Sequence, residues 1–224
     1  MNKIRTSTLT HSTESILATN KVLKNTYLLL SMCFMFSAFT AYLSFASHAA
    51  PIHPLLFIVG AYGLIFLTHA LKNSPLGLLS VFAFTGFMGY SIGPILNAYI
   101  SAFSNGPQLI GTALGGTGLI FLGLSGYALT TRKDFSYLSG FLFVAMMVAF
   151  LGMIAGFLFN ISAIQLMVSA AFVLISSGLI LFQTSEIIHG GERNYIIATV
   201  SLFVSLYNLF LSLLNLLGAF SGRD

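Results

Sequence analysis

Only five of the 224 residues are Asp or Glu, so the side chains that can do chemistry stand out against long apolar surroundings. Glu186 lies in the run ILFQTSEII with His189 three residues on, where a helix would let the imidazole hold the carboxylate or share its proton. Ser176, Gln183 and Thr184 precede it in the same run. Further on, Ser201, Ser205, Asn208, Ser212 and Asn215 recur at spacings of 4, 3, 4 and 3, which puts all five on one helical stripe. Two chemistries fit such a stripe: hydrogen bonds that hold helices together, or the wall of a polar path.

Two enzyme patterns are weaker. Gly123, Leu124, Ser125 and Gly126 spell GxSG, the nucleophile motif of intramembrane serine proteases, but four residues match cheaply in a chain with 21 Gly. A Ser and His dyad needs its His on a helix facing the Ser, whereas His189 opens the loop HGGERN. For a metal, His11, His48, His53, His69 and His189 show no ligand spacing. The chain is expected to be no enzyme and to need no cofactor.

The elements that must position these residues follow from charge. No Asp, Glu, Lys or Arg occurs in residues 25 to 71, 73 to 131, 135 to 185 or 194 to 222. A helix crosses the roughly 30 Å hydrocarbon core with about 20 apolar residues, and a charge at its centre costs on the order of 3 kcal/mol. With 57% hydrophobic and 6% charged residues, the chain reads as an all-α integral membrane protein. Breaks at Pro, Gly, Asn and His divide it into seven spans, at about 25 to 46, 54 to 71, 77 to 102, 108 to 130, 136 to 160, 163 to 187 and 195 to 219. Residues 1 to 24 form a Ser/Thr-rich tail with no apolar core, expected to be flexible. Residues 220 to 224 form a short C-terminal tail.

With seven spans, the N-terminal tail and every second loop share one side and hold Lys3, Arg5, Lys21, Lys24, Lys72, Arg132, Lys133 and Arg193, while the opposite loops hold no basic residue. Basic residues in short loops stay cytoplasmic, so the N-terminus is expected inside and the C-terminus outside. The first apolar run exceeds the 7 to 15 residues of a cleavable signal, so it reads as a span. Glu186 is then the only acidic residue within reach of the bilayer, a functional candidate unless it sits solvated at the headgroup level. The single cysteine, Cys33, lies inside the first span and is expected to pack.

Glycines mark where helices can approach. Gly86, Gly89 and Gly93 in the third span and Gly111, Gly115 and Gly118 in the fourth both offer small-residue faces. Pro94 should kink the third helix, and Asn97 one turn on could take up the carbonyls it frees.

Three segments carry a resemblance: FAFTGFMGYSIGPILNAYI, GTALGGTGLIFLGLSGYALTTRKDFSYLSG and ISSGLILFQTSEIIHGGERNYIIATVSLFVSLYNLF. Together with STESILATNKVLKNTYLLLS near the start, they make the sequence resemble the Bax inhibitor one family, and most closely its bacterial branch. The resemblance implies seven helices with the last surrounded by the others, a multi-pass place in the bacterial inner membrane, and a periplasmic C-terminus. It also implies, as partner, the membrane-anchored AAA protease FtsH, whose degradation of membrane substrates would be slowed. The tail, with Lys3, Arg5, Lys21 and Lys24, would be where the protease engages.

Other family members act as acid-sensitive calcium leaks through an Asp pair on the sixth and seventh helices. The family's patterns fall on Leu181 to Thr184 and Leu202 to Leu206 here, so Gln183 and Ser205 stand where the acids would be. Neither side chain titrates, which argues against a leak of calcium or protons gated by acid. Conductance is expected to be weak and nearly constant between about pH 6 and 8, with Gln183, Glu186, Ser201, Ser205 and Asn208 as candidate helix contacts or path-lining groups.

Overall fold

The protein is described by a computed structural model over residues 3–159 and 161–222, with side chains from Lys21 onward except Phe157. The side chains of Lys3 and Arg5, and the tail residues Arg223 and Asp224, lie outside the described residues. Seven helices follow in order: α1 (Lys3–Ala46), α2 (Pro54–Leu71), α3 (Leu76–Ala102), α4 (Gly106–Thr131), α5 (Leu138–Leu158), α6 (Ser162–His189) and α7 (Tyr195–Ser221). Each is long and apolar enough to cross a membrane, the apolar part of α1 being Lys21–Ala46.

The backbone is helical from Lys3 and continuous with the first span. Once a span has nucleated a helix, each further residue adds a hydrogen bond as it is fixed, so extension costs little. The other ends carry local signals. Asn194 caps α7, its side-chain oxygen accepting from the amides of Ile196 at 3.0 Å and Ile197 at 3.3 Å. Gly190 ends α6 in the left-handed region at φ 75°, and Pro54 opens α2, where its missing N–H is no loss.

Helix α7 is the centre. In its most apolar window 72% of residues are buried, against 11% in α2 and in α5. The first six helices form two triplets with one plan. In the first, α3 packs on both α1 and α2; in the second, α6 packs on both α4 and α5. The triplets meet where α3 touches α4 and where α1 touches α6, contacts that exchange when one triplet is laid on the other. Because three crossings precede the second triplet, it runs in the opposite sense, as in inverted repeats. Between the triplets, Leu202, Phe203, Leu206 and Leu209 of α7 pack on Leu30 and Cys33 of α1 and on Val81 and Phe84 of α3. The Phe203 ring lies 5.2 Å from Phe34 and 6.0 Å from Phe84, centre to centre.

Candidate functional site

The polar stripe of α7 meets α6 at one point. Ser205, only 1% exposed, has its Oγ 3.1 Å from Gln183 Oε1 and 3.1 Å from the Ser201 carbonyl, both of which accept from it. Ser201 therefore contributes its backbone to the pair. Asn208 turns back on its own helix and donates to the Val204 carbonyl at 3.0 Å. Ser212 is buried, but Asn215 is exposed. A spacing of 3.5 residues drifts by about 20° per heptad on a straight helix of 3.6, and two heptads carry the stripe away from the protein.

Thr184 sits next to the pair and is fully buried. Its hydroxyl lies 3.5 Å from Tyr27 Oη of α1 and 3.5 Å from Ser125 Oγ of α4, the outer limit of hydrogen bonding. Three helices thus converge on Thr184. It stands inside the quoted LFQT pattern, yet its role was not legible because its partners are 157 and 59 residues away. The cluster joins hydroxyls and one amide. It has no carboxylate to hold a proton or to offset the desolvation of a cation.

Toward the end of α6, Ser185 and His189 tie down the loop after α4. The Phe135 amide donates to Ser185 Oγ at 3.0 Å, and that hydroxyl donates to the Lys133 carbonyl at 3.2 Å. His189 Nδ1 lies 2.9 Å from the Ser185 carbonyl, and Nε2 lies 3.1 Å from the carbonyl of Arg132, whose backbone is left-handed at φ 49°. Asn194 donates to the Lys72 carbonyl at 3.0 Å and to Asn73 Oδ1 at 3.2 Å. The loops after α2, α4 and α6 are thereby fastened at one end of the bundle. At its edge, the Ser136 amide donates to Asp134 at 2.8 Å, and that bond, with a smaller contribution from nearby His189, holds the Asp134 carboxyl below its ordinary range.

Several contacts that the sequence left conceivable are replaced by others. His189 spends both ring nitrogens on Ser185 and Arg132, so it makes no dyad with Ser125, whose hydroxyl meets Thr184. Nor does it serve Glu186. The Glu186 carboxylate lies beneath Gly191, where any Cβ would strike it, and the amides of Gly191 and Glu192 close on the Glu186 carbonyl at 2.9 and 3.2 Å. Helix α3 runs through Pro94 without a break, and Asn97 donates to the Phe45 carbonyl of α1 at 3.0 Å, leaving the carbonyls freed at Pro94 to others.

Of the two glycine faces, one is used. A Cβ at Gly86 would meet the Phe36 ring at 2.6 Å, one at Gly89 would strike the Ser37 carbonyl and Thr40 hydroxyl, and one at Gly93 the Ser44 hydroxyl. Around Gly111, Gly115 and Gly118 a Cβ would meet nothing within 4 Å.

Residues 19–222 match the family described as "Inhibitor of apoptosis-promoting Bax1". The chain is 53% identical over 214 residues to a protein of Escherichia coli (strain K12) named "Modulator of FtsH protease YccA", with 96% of each covered. It is equally similar to one of Escherichia coli O6:H1 named "Inner membrane protein YccA". An uncharacterized protein of Pseudomonas aeruginosa is 52% identical over 203 residues, 91% of each chain. Six apolar helices around a central seventh and a match spanning residues 19–222 agree: the chain belongs to the Bax inhibitor family.

Proposed function

We propose that the chain is a non-enzymatic inner-membrane modulator of the protease FtsH that slows the degradation of membrane substrates. The observation that carries this is 53% identity over 96% of the chain to a relative named for modulating FtsH. The orientation is N-terminus cytoplasmic and C-terminus periplasmic, following the basic residues. The protease engages the N-terminal segment with its Lys3, Arg5, Lys21 and Lys24, next to the face where the loops at Lys72, Arg132 and His189 are fastened. An ion leak draws no support from the centre of the fold, where Ser205 is bonded to Gln183 and neither carries charge.

The test compares half-lives of membrane substrates of FtsH in cells lacking the protein, cells containing it, and cells containing it without residues 1 to 20. Substrates should persist longest with the full chain and revert when the segment is removed, while the shortened protein stays in the membrane. Identical half-lives in all three strains, with ion flux from reconstituted protein, would overturn the proposal in favour of the leak.

A further inference from the structure

The backbones of α1 and α4 do not approach each other among the described residues, although their side chains meet at one end. They flank a slot floored by α7, with a cavity of about 450 Å³ lined by Phe34 and Ala38 of α1, Leu114 and Gly118 of α4, and Phe203 and Phe210 of α7. One end is closed by the stacked rings of Tyr27 and Phe121, 5.8 Å apart, and the other by Ile92 and Leu96 of α3. Its rims are exposed: Leu114 is 57% and Tyr42 64% accessible. The slot therefore opens sideways toward hydrocarbon. An apolar void does not hold water, and leaving it empty would forfeit the packing of every side chain that lines it.

The α1 wall continues into charge. Lys24 stands one heptad before Ser31, on the stripe of Ser31, Phe34 and Ala38 that faces the slot, while Lys21 lies a turn earlier and further round the helix; both are exposed. Across the slot, α4 ends at the same end of the molecule in exposed Arg132 and Lys133, whose carbonyls are held by His189 and Ser185. An apolar slot of this volume, with cations at one mouth, fits a hydrocarbon tail carrying a negative head.

We propose that the slot between α1 and α4 binds an anionic phospholipid, one acyl chain lying against Phe34, Gly118 and Phe203 and the phosphate resting by Lys21 and Lys24. In the orientation proposed above this lipid comes from the cytoplasmic leaflet, but the site does not depend on that orientation.

The sequence has no Trp, so Phe34→Trp places a single fluorophore in the slot, and Phe143→Trp places one on the exposed side of α5. Each full-length variant is reconstituted in phosphatidylcholine vesicles, and quenching is followed as brominated phosphatidylglycerol or brominated phosphatidylcholine is added. Phe34→Trp should be quenched by the anionic lipid with a several-fold preference, and Phe143→Trp by both lipids alike. The preference should fall toward one when Lys21→Gln and Lys24→Gln are added, and vanish when Gly118→Leu fills the slot. Equal quenching by the two lipids at Phe34→Trp, or a preference that survives Gly118→Leu, overturns the proposal. Protection from both lipids overturns it as well, because protein would then cover the slot.

Discussion

Helices α3 and α4 carry the same kind of sequence signal and meet different fates. Gly86, Gly89 and Gly93 let α3 close on α1 until the Ser37 carbonyl leaves no room for a Cβ at Gly89. Gly111, Gly115 and Gly118 are spaced as well for close approach, yet a Cβ there touches nothing. Small residues let a helix be approached without supplying the attraction. In lipid there is no hydrophobic drive between helices, so dispersion contacts and hydrogen bonds decide which face is used. Helix α1 has one face with Cys33, Phe36, Ser37 and Thr40, which α3 takes, and its Tyr27 to Ala38 face is left beside the slot.

Substitutions at matched positions test that contrast directly. Gly89→Val should cost about 3 kcal/mol or prevent folding, because a backbone carbonyl cannot move aside as a side chain can. Gly115→Val, with open space around it, should change stability by no more than about 0.5 kcal/mol. Thermal unfolding in detergent reads both, and equal losses would erase the distinction between the two faces. Gly86→Ala falls between them at about 1 kcal/mol, since its obstacle is the Phe36 ring, which can swing.

The seam between α6 and α7 is a third kind of contact, closed by polarity rather than by small size. Ser205→Ala should cost about 0.6 kcal/mol, the average for a hydrogen bond between membrane helices. A double-mutant cycle with Gln183→Leu checks this: a coupling near zero would mean the two side chains are neighbours without an energetic link. The smallest effect belongs to the exposed edge. The folded Asp134 carboxyl titrates below its ordinary value of 3.8, so the contact stabilises above that pH and is lost as pH falls through the lower folded value. Protection of the Ser136 amide, relative to its intrinsic exchange rate, should fall over that acidic window in the native chain and stay flat in Asp134→Asn, while the α1 and α3 seam stays protected throughout.

Where the structure follows the sequence reading, the cause is local. The helix boundaries Pro54–Leu71 and Tyr195–Ser221 fall at the Pro and Asn signals that mark them. Gln183 and Ser205, the positions to which the two family patterns point, meet at 3.1 Å. Thr184, Ser185 and Asn97 were harder, since a hydroxyl or amide on one helix satisfies several partners equally well and only distance selects among them. His189 shows this most clearly: Glu186 is three residues away, yet the imidazole turns to the carbonyl of Arg132, 57 residues away.

The sequence by itself determined that the chain is a stack of seven apolar helices, which of its ends carry charge, and that no acid stands at the centre of the fold. Those properties depend on the transfer of each segment from water to lipid and on the helical period, both fixed by neighbouring residues. Only the tertiary structure decided that the helices around α7 form two like triplets, that one glycine face is closed and the other open, and that a slot runs between α1 and α4. Each of these is a choice among helix faces of similar composition, and summed packing over distant residues, rather than any local pattern, makes that choice.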